Sequence, residues 1–116
     1  MGVAPTPQNT VPGADYYTNP SRGLIPEWEN TFNPASWTHW LALDAQDAAS
    51  DLKQPLLVVT SESAVAPDSV REFIAKVPHP VDQLWLDHIP QFDFYDQPDP
   101  IRLAANAIAD HFRKTL

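Results

Sequence analysis

The chain contains no cysteine, which excludes disulfides, thiolate zinc sites and a cysteine nucleophile. Glycine is almost as scarce. Its three occurrences, Gly2, Gly13 and Gly23, all fall in the first fifth of the chain, so no later turn can rely on a residue without a side chain. Cationic residues are few: seven Lys and Arg stand against fifteen Asp and Glu, for a net charge of −8. That balance repels phosphate backbones and anionic lipid surfaces, so neither nucleic acid nor a membrane is expected as a partner. No apolar run approaches the roughly 18 residues of a membrane span, and residues 1–20 lack the basic start and apolar core of a signal peptide. The expectation is a cytoplasmic, acidic protein held together by packing or by a partner chain.

Among its 116 residues, 43% are hydrophobic and four are tryptophan, enough for one domain with a modest core. The stretch 55–95 organises the rest. It reads as an apolar strand (PLLVVT), a turn (SESAVAP), an amphipathic helix (DSVREFIAKV), a second strand (DQLWLD) and a loop (HIPQFDFYD). Strand, helix of about ten residues and strand is the pattern of a βαβ unit with parallel strands and a right-handed crossover. Strands are expected at 56–60, covered on both faces, and at 83–86. Pro67 opens the helix between them, with Val70, Phe73, Ile74 and Val77 on one stripe and Pro78 and Pro80 closing it.

Residues 1–33 carry five prolines and no period of 2 or 3.6, and read as an extended proline-rich arm preceding a domain at 34–116. Its second half, with Tyr16, Tyr17, Leu24, Ile25, Trp28 and Phe32, is too apolar for a linker and is expected to lie on a surface. Asn33 followed by Pro34 has the form of a helix cap and first helical residue. Trp37, Trp40 and Leu41 then recur at helical spacing, and Asp44 offers a second cap, so 34–52 is either one bent helix or two. Asp99 and Pro100 repeat the signature before a terminal helix whose apolar stripe is Ile101, Ala104, Ala105, Ile108 and Phe112, with Arg113 and Lys114 at its end.

The order PLLVVTSESAVAP, helix, DQLWLD, then QFDFYDQPDPIRLAANAIADHFRKTL resembles the C-terminal third of an α/β-hydrolase of the dienelactone-hydrolase-like and peptidase-like bacterial group, and WTHWLALDAQDAASDLKQP resembles the stretch before its penultimate strands. The likeness spans about 16–116. It implies a small parallel α/β unit flanked by helices, and a serine–histidine–carboxylate machinery to look for. That machinery is degenerate here. No serine stands in a G-x-S-x-G elbow, the position implied for the acid is Ser63 with Glu62 beside it, and the position implied for the histidine is Gln91. Glutamine cannot shuttle a proton at neutral pH, so no catalytic residue is assigned.

Weaker candidates remain nearby. His88 ends the second strand and could stand in for the lost base, but with nothing to activate it reads first as a loop residue. Asp87, His88, Asp93 and Asp96 are the densest group of possible metal ligands; solvated loop acids, with Asp93 bonding turn amides, are the simpler reading, and neither metal nor cofactor is assigned. Trp28, Trp37, Trp40, Trp85 and Phe92 are expected at an interface or in a ligand pocket. The last two strands of such a hydrolase would leave open sheet edges, which a second copy could cover by joining sheets or exchanging the arm. The expected function is therefore a non-catalytic, hydrolase-derived interaction module acting as a homodimer. Alternatives are an ester or lactone hydrolase completed in trans by a separate chain, or a fragment of a longer hydrolase.

Overall fold

In a computed structural model of the chain, residues 14–27 and 33–116 are described. Strand β1 (Leu57–Ser61) and strand β2 (Asp82–Leu86) form a two-stranded parallel sheet, in register from Leu57 opposite Asp82 to Ser61 opposite Leu86. The connection between them carries the expected helix, α2 (Pro67–Lys76). Each strand differs from its expected bounds by a residue. The Asp82 amide donates to the Leu56 carbonyl at 2.9 Å, so pairing starts at residue 82. The Ser61 hydroxyl accepts the Ser63 amide at 3.0 Å, so Ser61 closes β1 and the turn begins after it. Two-sided burial of β1 is not found: Thr60 and Ser61 are buried, but residues 57–59 are only half-buried. Among the described residues no third strand joins the sheet, so each strand keeps one edge without a ladder partner.

The span 34–52 resolves into two pieces, each begun by an Asx side chain that accepts a backbone amide two residues on. Asn33 accepts from Ala35 at 3.0 Å and starts a 3-10 turn, Pro34–Ser36, that runs into helix α1 (Trp37–Ala42). Asp44 accepts from Gln46 at 2.9 Å and starts a 3-10 segment, Ala45–Asp51. That segment packs against α2, with Ala49 fully buried beneath it. Val77, at the end of α2, is buried as its stripe requires.

After β2 the loop contains a short helix, α3 (Asp93–Asp96), followed by the terminal helix α4 (Pro98–Thr115). The expected cap at Asp99 is displaced: Gln97 precedes the helix, and both Pro98 and Pro100 sit in its first turn, where a missing N–H removes no helical bond. The buried face of α4 also differs from the apolar stripe in the sequence. Pro100 and His111 are buried and Ala104 and Ala107 half-buried, while Ile101, Ala105, Ile108 and Phe112 are turned outward. Alanines let the helix lie close against β1, and the His111 imidazole Nδ1 reaches Asp82 Oδ2 at 3.0 Å to tie the helix to the start of β2.

The arm is not extended over its described part. Ala14–Tyr17 forms a 3-10 turn and further turns follow. The expectation for Trp28 and Phe32 lies outside the described residues. Tyr16 and Tyr17 close around Phe92, with ring centroids at 6.4 and 5.3 Å, and Tyr16 meets Tyr95 edge-on at 5.3 Å. Gly23 makes this possible, because a Cβ there would lie 2.1 Å from the Tyr16 ring. Any side chain would push that ring out of its cluster. Phe92, expected at an interface, is instead buried under the arm of its own chain. Truncation by Phe92→Ala is expected to cost about 3 kcal/mol, read from the urea midpoint, with loss of the tyrosine near-ultraviolet circular dichroism.

Candidate functional site

Parallel pairing brings the carboxyl ends of β1 and β2 side by side, so the loops that follow them, 62–66 and 87–92, face one another. This is where an open α/β sheet places its chemistry. The two degenerate positions lie in these facing loops, Ser63 after β1 and Gln91 after β2. Gln91 Oε1 accepts the Val65 amide at 3.2 Å, and its Nε2 lies 3.4 Å from the Tyr95 hydroxyl. Ser63 contributes its amide to Ser61. Gln91 thus stitches one strand-end loop to the other.

Glu62 points away from that stitch. Its carboxylate pairs with Arg71 on α2, and the same guanidinium bonds Asp68 and lies over the Trp85 ring, 4.4 Å from its centroid. The Glu62 hydrogen bond foremost raises the Arg71 pKa, which keeps the group cationic. Trp85 is half-buried and donates its indole N–H to Gln83 at 3.0 Å. It therefore lines a cation-stacking contact rather than an open ligand cleft. His88 has a positive φ of 57°, is exposed, and makes no side-chain hydrogen bond to the described residues. Its backbone turns the chain after β2, and its ring is not directed at Ser63 or Gln91 by any bond.

The acids of the β2 loop gather on Arg22. The guanidinium donates from Nε and Nη2 to the two Asp96 oxygens at 2.6 and 2.7 Å, from Nη2 to Asp93 Oδ1 at 3.0 Å, and from Nη1 to Asp15 at 3.1 Å. This forked geometry suits a guanidinium and fixes its plane. Asp93 therefore answers a side chain of the arm rather than turn amides. Among the described residues no three of His, Asp or Glu gather closely enough to hold a metal ion. The hydrogen bond from Arg22 holds the Asp96 carboxyl below the ordinary aspartate value of 3.8, against a smaller opposing effect of desolvation. One signal for this cluster is visible in composition although spacing rules pass over it: Arg22 is the sole Lys or Arg before Lys53.

A cleft of about 280 Å³ opens at the other end of the sheet, between the starts of the strands and the last turns of α4, where Asp82, His111, Asp110 and Lys114 meet the apolar Leu57 and Leu84. None of Trp37, Trp85 and Phe92, expected to line a ligand pocket, borders it. Trp37 and Trp40 lie on α1 with 53% and 68% of their surface exposed, beside Leu41 at 78%. No helix among the described residues is long and apolar enough to cross a membrane. The chain matches no family model, no curated protein and no solved structure.

Two outcomes follow from these contacts. Gln91→Ala removes the acceptor for the Val65 amide and is expected to lower stability by about 1 kcal/mol, with amide exchange at Val65 accelerated. Because Asp96 titrates below its ordinary value, its contribution is complete above pH 3.8 and is lost as the pH falls through the lowered value. The tyrosine circular dichroism of the docked arm should therefore survive acidification to pH 3.8 and be lost only below it. In Asp96→Asn it should be weaker at neutral pH and lack this acid step.

Proposed function

We propose that the chain is a non-catalytic interaction module, descended from the C-terminal part of an α/β-hydrolase, that works in the cytoplasm as a homodimer. The observation that carries the reading is the Gln91 bond to the Val65 amide. At the position where the resemblance implies the proton-accepting histidine, Gln91 stitches the two loops together, and no elbow serine exists to be activated. The small core points to assembly. Ala49, Val77 and Phe92 are the buried apolar residues among those described, whereas Trp40, Leu41, Leu43, Ile108 and Phe112 are exposed. Large apolar side chains left in water, together with unpaired sheet edges, favour association.

The test is incubation of the purified chain with a serine-directed fluorophosphonate, alongside turnover of p-nitrophenyl acetate. Neither labelling nor turnover above buffer is expected. Covalent labelling of any serine would overturn the non-catalytic reading.

A further inference from the structure

The outward face of α4 has a spacing that selects its partner. Ile101, Ala105, Ile108 and Phe112 follow one another at intervals of four, three and four, the hydrophobic repeat of a helix–helix seam. At 100° per residue this row lies about a quarter turn from the face of Pro100, Ala104, Ala107 and His111 that rests on β1, so both faces can be engaged together. Three of the four side chains are large, and they are 40%, 42% and 53% exposed. The interval pattern is the same read from either end. When a second copy approaches antiparallel about a two-fold axis between Asn106 and Ala107, Ile101 meets Phe112 of the other copy and Ala105 meets Ile108 of the other copy. All four contacts then form at once, and the alanine leaves room for the larger isoleucine.

Charge supports the same occupant. A chain of net charge −8 repels itself, so a second copy must approach through a face without carboxylates. The row contains none, and the residues beside it, Arg102, Ala104, Ala109 and His111, contain none either. A basic partner would find no acid here to engage. Antiparallel pairing also sets the positive end of each helix dipole beside the negative end of the other.

We infer that α4 is a self-complementary docking helix, whose Ile101–Ala105–Ile108–Phe112 face packs antiparallel against the same face of a second copy. This rests on the homodimer reading above and names its surface. A seam of this length belongs with the smaller specific interfaces, so sedimentation velocity should be run over roughly 1 to 500 µM. The wild-type chain is expected to dimerise reversibly. Ile108→Glu, which puts a carboxylate into the seam, should weaken association at least about tenfold. Asn106→Glu, the same charge on the opposite side of the helix, should leave association within about twofold, with the circular dichroism of both variants unchanged.

The absence of native cysteine allows a second readout that does not require Ile108→Glu to fold. Ala105→Cys should give a covalent dimer with a short bismaleimide, and Asn106→Cys should not. A wild-type dimer that persists in Ile108→Glu, or that cross-links equally from both cysteine positions, overturns the α4 seam and leaves the homodimer standing on another surface. A wild-type chain that stays monomeric throughout the range overturns the homodimer itself.

Discussion

The guanidinium of Arg22 holds together what charge would otherwise separate. Asp15, Asp93 and Asp96 come from the arm and from α3, and in a chain with twice as many acids as bases they would repel one another. A planar fork with five donors can bond three carboxylates at once, and a lysine could not reproduce that geometry. With the charge balanced, the arm can lie down. Tyr16 and Tyr17 then cover Phe92, Gly23 gives Tyr16 the space it needs, and the loop after β2 gains a lid drawn from its own chain. The apolar ring cluster and the polar clamp are therefore one structure, neither side of which has an obvious reason to form alone.

At the strand ends, too, polar side chains are held in fixed contacts. Gln91 has a hydrogen-bonding reach comparable to that of an imidazole but no proton to exchange, and its amide oxygen is committed to Val65. Glu62 is drawn off to Arg71, which also caps the Trp85 ring. Gln91 thereby holds the two loops to each other, and Glu62 holds the first of them to α2. The Gln91 bond ties the loops at that end of the sheet together, while Trp40 and Leu41 on α1 and Ile108 and Phe112 on α4 are exposed.

Local rules made much of this fold legible. The βαβ unit followed from two short apolar runs around a helix opened by Pro67, and the caps at Asn33 and Asp44 followed from the bond each side chain makes two residues ahead. What depends on distant partners was not legible. Periodicity marks the apolar residues of α4 but cannot say that the strand it rests against prefers alanine and a histidine bonded to Asp82 to isoleucine and phenylalanine. Phe92 looked like an interface residue because the segment that covers it lies far away in sequence. Composition alone could not turn an arm rich in proline into a folded turn, although its solitary cation was a clue. At the site, the diversion of Asp93 to Arg22 had no signature in spacing.

The bond between Arg22 and Asp96 spans 74 residues of chain. Closing so long a loop is entropically costly, and the cost is met only once the distant partner has been made. During translation the anchor is added 74 residues after Arg22, roughly 4 to 15 s later at typical rates of roughly 5 to 20 residues per second. Tyr16 and Tyr17 must wait in solvent for that interval. The strands and α2 all precede Asp96 in the chain, so every segment of the sheet has been made by the time the arm's anchor is added.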